Sequence, residues 1–235
     1  MKKDKSNMKV LVVAPHPDDE VLGCGGTIKR YVNQKNEVYL CIVTCGYTPD
    51  WSTEFIKNRK KEIECANKTL GIKETFFLDL PTVKLDTVPQ KKLNDLILSC
   101  VEKIEPDCVY IPHRGDLNKD HQLVFESALV VSRSKPGSCI KKVFSYEVPS
   151  ETEWGQPKIK KLHDVFLPNV YVDIKDTLET KLKAMKCYKS ELRAFPHPRS
   201  LKGIIVLSEK RGMEAGLENS EAFVLIKEIV NNKNA

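Results

Sequence analysis

Short, unbroken apolar runs alternate with amphipathic stretches through the first half of this chain. Val10-Leu11-Val12-Val13-Ala14 contains no polar residue and reads as a strand buried on both faces. Residues 38–45 (VYLCIVTC) repeat that pattern and residues 75–78 form a shorter third run. Cys108-Val109-Tyr110-Ile111 is a fourth, closed by Pro112. Between these runs the apolar period changes to that of a helix. A helical pattern starts near Thr27 and runs to Asn33. In residues 55–70, Ile56, Ile63, Ala66 and Leu70 share one stripe, and in 89–104 Leu93, Leu96, Ile97 and Val101 do so. Val124, Ala128 and Val131 mark one face of a further helix. Buried strands that alternate with helices predict an α/β fold with a parallel sheet and right-handed crossovers.

Beyond residue 131 the alternation loosens. Residues 143–148 and 169–174 read as strands, with 149–168 a long excursion between them. Residues 176–193 and 201–214 read as helices, and 222–230 as a last strand or helix. Between the helices, Phe195-Pro196-His197-Pro198-Arg199-Ser200 is a stiff, proline-bracketed loop. No internal repeat, low-complexity tract or linker divides the chain, so one domain over 1–235 is expected, with 1–8 a disordered tail.

Composition narrows the classes. The 41% hydrophobic and 30% charged content is that of an ordinary globular protein. The net charge of +6 is spread over the chain. Its basic runs, Lys2-Lys3, Lys60-Lys61 and Lys158-Ile159-Lys160-Lys161, lack interleaved aromatics, so they read as solvated surface and no nucleic-acid partner is expected. The eight cysteines form no C-x-x-C pair and several sit inside apolar runs. They read as small buried hydrophobes in a reducing compartment. The N-terminus lacks the apolar segment of a signal peptide, and no run approaches the roughly 20 residues of a membrane span. A cytoplasmic protein is expected.

Candidate chemistry gathers at two strand ends. After the first run stand His16, Asp18, Asp19 and Glu20; after the fourth stand His113, Asp116, Asn118, Asp120 and His121. Parallel strands share one carboxyl edge, where ligands bind in open α/β sheets. Imidazoles and carboxylates without thiolate suit zinc or another first-row divalent ion such as Fe(2+). A catalytic zinc takes three protein ligands and leaves a place for water, and His16, Asp19 and His121 supply such a set. Asp18 is then free to take a proton from that water, whose pKa zinc lowers to about 7. The plainer reading of Asp18, Asp19, Asp116 and Asn118 is helix capping. Arg59 lies on the apolar stripe of its helix, so it either pairs with a local carboxylate such as Glu62 or meets a substrate anion. Gly23-Cys24-Gly25-Gly26 invites a dinucleotide reading, but a charged segment occupies the turn that pyrophosphate would approach. Close packing of a helix explains these glycines more simply.

Ala14-Pro15-His16-Pro17-Asp18-Asp19-Glu20 resembles the A-H-P-D-D-E signature of the PIG-L/LmbE-like zinc N-deacetylases, with Pro15 interposed. Val43-Thr44 with Gly46, Arg59 with Glu62, and Asp116-Leu117-Asn118-Lys119-Asp120-His121 are similar to further motifs of that family, in the same order. The resemblance implies a Rossmann-like three-layer sandwich and zinc held by His16, Asp19 and His121. It implies Asp18 as general base and Asp120 as support for the metal-site histidines. Arg59 matches a substrate-contacting position. The family often has a histidine where this chain has Asn118, which can donate a hydrogen bond to an oxyanion but no proton at neutral pH. Asp18 must then serve as base and acid, or His197 or His113 must act. A looser similarity to members that make bacterial surface sugars makes His197 and Arg199 a candidate substrate loop. The implied activity is removal of an acetyl group from an N-acetylated amino sugar or glycoconjugate, with a homo-oligomer allowed. A dinucleotide-binding protein and a catalytically inactive sugar-binding relative are the alternatives.

Overall fold

A computed structural model describes residues 7–134, 137–155 and 164–230. The basic runs Lys2-Lys3 and Lys158-Ile159-Lys160-Lys161 lie outside the described residues, as does most of the expected tail. Its last member, Met8, belongs to the fold: it packs on the core, and its N–H donates to Asn36 Oδ1 at 3.0 Å.

The elements run β1 (Lys9–Ala14), α1 (Asp19–Asn33), β2 (Glu37–Cys45), α2 (Thr53–Leu70), β3 (Glu74–Pro81), α3 (Gln90–Ile104), β4 (Cys108–Pro112) and α4 (Lys119–Val131). They continue as β5 (Lys142–Tyr146), β6 (Val170–Asp173), α5 (Leu178–Cys187), α6 (Leu201–Ala215) and β7 (Ser220–Glu228). One seven-stranded sheet has the order β3-β2-β1-β4-β5-β7-β6. The pairs from β3 to β5 are all parallel, and β7 enters antiparallel between β5 and β6. The fold is therefore the mixed α/β sandwich expected, with helices on both faces.

Strand alternation builds the two cores. Val10, Val12 and Ala14 of β1 face α1, α2 and α5. Leu11 and Val13 face α3 and α4. Local chemistry sets the helix ends. Ser52 Oγ accepts the Phe55 N–H at 3.1 Å to open α2, and Gly71 at φ 87° closes it. Ser200 and Gly216 do the same for α6. Among the described residues, no helix is long and apolar enough to cross a membrane.

Several expectations need correction. Helix α1 starts at Asp19, not near Thr27, so Gly23, Gly25 and Gly26 lie inside it. Their role is close packing: a Cβ on Gly23 would sit 2.3 Å from the Tyr146 ring, and one on Gly26 would sit 2.6 Å from Ile174. Mid-helix, the Gly26 and Thr27 N–H groups donate to the Glu221 carboxylate at 2.9 and 2.7 Å. Lys181 Nζ bridges Leu22 O and Glu221 at 2.8 and 2.6 Å, so a buried ion pair stitches α1 to α5 and β7. Helix α5 ends at Cys187, well before the expected Arg193, because Tyr188 turns inward to donate its hydroxyl to Glu20. The last element is a strand. Two cysteines are not free: Cys65 of α2 and Cys187 of α5 form a disulfide near the surface, at a Cα–Cα distance of 5.7 Å. Six others are free, as read from the sequence.

Candidate active site

Strands β1 and β4 are neighbours, so the loops leaving their carboxyl ends meet. The loop after β1 is held by Thr44, whose N–H and Oγ both donate to Pro15 O at 3.0 and 2.8 Å. Asp18 stands at the N-cap position of α1 with φ 106°, a left-handed conformation costly for a residue with a side chain. Its carboxylate makes no cap; instead its N–H donates to Glu20 Oε2 at 3.0 Å. That leaves the Asp18 side chain free to face the cleft. In the second loop Asn118 does cap: its Oδ1 accepts the Asp120 N–H at 2.9 Å and opens α4. Asp120 and His121 therefore lie in the first turn of α4.

His16, Asp19 and His121 offer ligand atoms that all lie within 4.8 Å of one another. His121 Nε2 is 3.2 Å from Asp19 Oδ2 and 3.2 Å from His16 Nδ1, and His16 Nδ1 is 3.3 Å from Asp19 Oδ2. The outer ring nitrogens are engaged elsewhere. His121 Nδ1 lies 2.8 Å from Asp116 Oδ2, and His16 Nε2 lies 3.1 Å from Asp120 Oδ2. Carboxylates accept, so in the neutral rings a hydrogen on each outer nitrogen is satisfied and the inner nitrogens keep their lone pairs. His16 Nδ1 and His121 Nε2 lie 3.2 Å apart and both border Asp19 Oδ2, a set that a positive charge stabilises. Asp19 Oδ1, buried and without a hydrogen-bond partner, adds a further open donor atom. The residues present thus fit a divalent cation, with supporting carboxylates in the arrangement that fixes ligand tautomers.

The electrostatics agree. Burial alone would depress the His121 imidazole, yet Asp19 and Asp116 hold its pKa well above the ordinary value. Burial would raise the Asp19 carboxyl, yet the two imidazoles hold it far below the carboxylate range. The spot favours positive charge. Burial pushes the Asp18 carboxyl well above its ordinary value, and Arg199 opposes that by stabilising the charged form.

A cleft of about 280 Å³ opens beside this cluster, with His16, Asp18, Arg59, Asn118 and Arg199 in its wall. Arg199 Nη1 is 3.3 Å from both Asp18 Oδ2 and Glu191 Oε2, and Nη2 is 3.3 Å from Glu151 Oε1. Arg59 pairs with Glu191 and, at 3.7 Å, with Glu62. Arg59 thus has local carboxylate partners, and its buried Nη1 has no hydrogen-bond partner. His197 lies to one side, packed edge-on against Trp154, with its Nδ1 accepting the Arg199 N–H. His113 is turned away: Nε2 lies 3.0 Å from Asp164 O, and it lines a separate pocket with Phe125 and Leu167. Glu151 and Glu191 had no local signal, since each lies in a turn and reaches the cleft only through the tertiary fold.

Known proteins share this architecture. An uncharacterized deacetylase of Escherichia coli, YaiS, is 29% identical over 190 residues, covering 77% of this chain and 90% of its own. The solved N,N'-diacetylchitobiose deacetylase of Pyrococcus horikoshii superposes with a TM-score of 0.75 at 23% identity, over 98% of this chain and 89% of its own. GalB, the 4-carboxy-2-hydroxymuconate hydratase of Pseudomonas putida, also reaches 0.75, at 17% identity, over 97% of this chain and 100% of its own. Likeness at that identity shows the fold alone. The sequence profile of PIG-L, described as GlcNAc-PI de-N-acetylase, matches residues 11–132, just over half of the chain, and the chain belongs to that family.

Proposed function

We propose that this protein is a metal-dependent hydrolase that removes an acetyl group from the amine of an N-acetylated sugar or glycoconjugate. The observation that carries this reading is the convergence of His16 Nδ1, His121 Nε2 and Asp19 on one point, with the Asp18 carboxylate beside them in the cleft. Two imidazoles and a carboxylate without thiolate favour zinc, and Fe(2+) fits the same set. A divalent ion there would polarise the scissile carbonyl and make water easier to deprotonate.

The chain's own groups do the rest. Asp18 accepts the proton of the attacking water on its carboxylate, with Arg199 at 3.3 Å stabilising the ionised form. When the C–N bond breaks, the same carboxyl returns that proton to the leaving amine. The products are acetate and the free amino sugar. Asn118 spends its Oδ1 on the helix cap, so its NH₂ remains to donate to the developing oxyanion. Asp120 keeps His16 oriented from 3.1 Å. Arg59, through its unpartnered Nη1, and the loop of His197 and Arg199 are the groups left to position the sugar. His113 has no part in this scheme. The reading keeps the enzyme in the cytoplasm, supported by six free cysteines, with the disulfide pulling the other way.

The test is acetate release from a panel of N-acetylated amino sugars by zinc-loaded protein. The expected result is release that stops on chelation and returns with zinc. Release that is indifferent to chelation, or none from any member, would overturn the proposal.

A further inference from the structure

The cleft does not end at the metal cluster. It continues along the carboxyl ends of β2 and β3 and the first turns of α2, where Trp51, Phe55, Ile56 and Phe77 form its wall. We propose that this outer half is a subsite for an uncharged aglycone with a flat apolar face. The proposal rests on the deacetylase reading above and names the class of substrate it acts on.

Three observations support it. The first is shape and surface. Phe77 is 47% exposed and Val83 is 66% exposed, and both line the cleft. Large apolar groups left in water beside a reaction centre mark a place that a ligand covers. Trp51 is anchored by packing on Tyr47 and Gly46, so the wall is formed before anything binds. Aromatic faces of this kind stack on aryl groups and on the apolar face of a pyranose.

The second is charge. An anionic aglycone such as a nucleoside diphosphate needs cations free to bind it, usually in bidentate pairs. Here the guanidiniums are engaged by carboxylates, which leaves Arg59 Nη1 without a hydrogen-bond partner. Arg59 serves Glu62 and Glu191, and Arg199 serves Asp18, Glu151 and Glu191. Asp79 adds another carboxylate to the outer wall, where Lys60 is the one lysine in the lining among the described residues. A diphosphate in the outer half would meet more acid than free base.

The third is backbone strain. Val83 is β-branched yet sits at φ 60°, and Asp79 sits at φ 50°. A β-branched residue in that region is a genuine outlier. Hydrogen bonds enforce it: the Val83 and Leu85 N–H groups both donate to Asp120, at 2.6 and 3.3 Å. The carboxylate that orients His16 thus also pins an apolar side chain at the cleft mouth. Strain kept by such bonds belongs to a site that uses the conformation.

The test uses the full-length, zinc-loaded protein and four probes: N-acetylglucosamine, its phenyl β-glycoside, N,N'-diacetylchitobiose and UDP-N-acetylglucosamine. Both kcat/KM for acetate release and Kd by calorimetry are read. The phenyl glycoside or the disaccharide should exceed the free sugar by about 10-fold, chiefly through KM, the size of one aromatic contact. The better of the two identifies the aglycone as aryl or pyranose, and the nucleotide sugar should fall below both. Phe77→Ala should collapse the advantage of the phenyl glycoside over the free sugar, while Met213→Ala, on an exposed face of α6, should leave that ratio intact. A preferred nucleotide sugar, a free sugar equal to the glycosides, or an advantage that survives Phe77→Ala would overturn the subsite. If no probe releases acetate but the Kd values rank as stated, the subsite stands and the catalytic reading fails. If the Kd values do not rank so, the subsite fails.

Discussion

A carboxylate bonded to the outer nitrogen of a ligating imidazole decides which nitrogen is free and where it points. Asp120 bonds the outer nitrogen of His16 and also accepts two loop N–H groups, so it links the His16-Asp19-His121 cluster to the Val83 loop. Asp120→Asn keeps the size of the side chain but weakens the imidazole's basicity and can flip its tautomer. Metal affinity should fall about 10–100-fold, measured by competition with a chromophoric chelator, and wild-type affinity would remove Asp120 from the centre. His16, Asp19 and His121 were readable in sequence because each belongs to a dense cluster of imidazoles and carboxylates that follows an apolar run. Glu151 and Glu191 were not. Nothing near them in the chain requires a carboxylate, and only folding sets them within 3.3 Å of Arg199. The position of Arg199 beside Asp18 is likewise a product of a loop 181 residues away.

At the scale of elements, α1 is held by something other than its own ladder. Lys181 and Glu221 are 4% exposed each and bond the Leu22 carbonyl and the Gly26 and Thr27 N–H groups. Removing one partner of a buried pair leaves the other charge uncompensated. Glu221→Gln should therefore cost about 3–5 kcal/mol in urea unfolding, and Lys181→Met added to it should recover much of that loss. A single substitution within experimental error of the wild type would show that the pair is dispensable. This arrangement explains why the helix start was misplaced in sequence. Three glycines in four positions argue against a helix, and the packing that requires them, against Tyr146 and Ile174, comes from distant strands. Helix α5 shows the reverse case, where a pattern that extends to Arg193 is cut short by Tyr188 reaching Glu20.

For the whole molecule, the parallel sheet of the first strands follows from βα alternation and crossover handedness, and it was legible for that reason. The antiparallel β7 was not, because an apolar run as short as Ala222-Phe223-Val224-Leu225-Ile226 has no period to separate strand from helix. The disulfide was equally invisible, since its partners are 122 residues apart and meet only when α2 docks on α5. Closing so long a loop should stabilise the fold by about 2–4 kcal/mol. Reductant, or Cys187→Ser, should lower the urea midpoint accordingly, and identical midpoints with and without reductant would show that the bond contributes nothing.

The central claim is that His16, Asp19 and His121 hold a catalytic metal while Asp18 moves the proton. Metal content and acetate release measured together on Asp18→Asn test it most directly. The account predicts metal bound as in the wild type and turnover reduced about 10²–10⁴-fold, the usual contribution of a general acid–base group. Full turnover with the metal retained would contradict it.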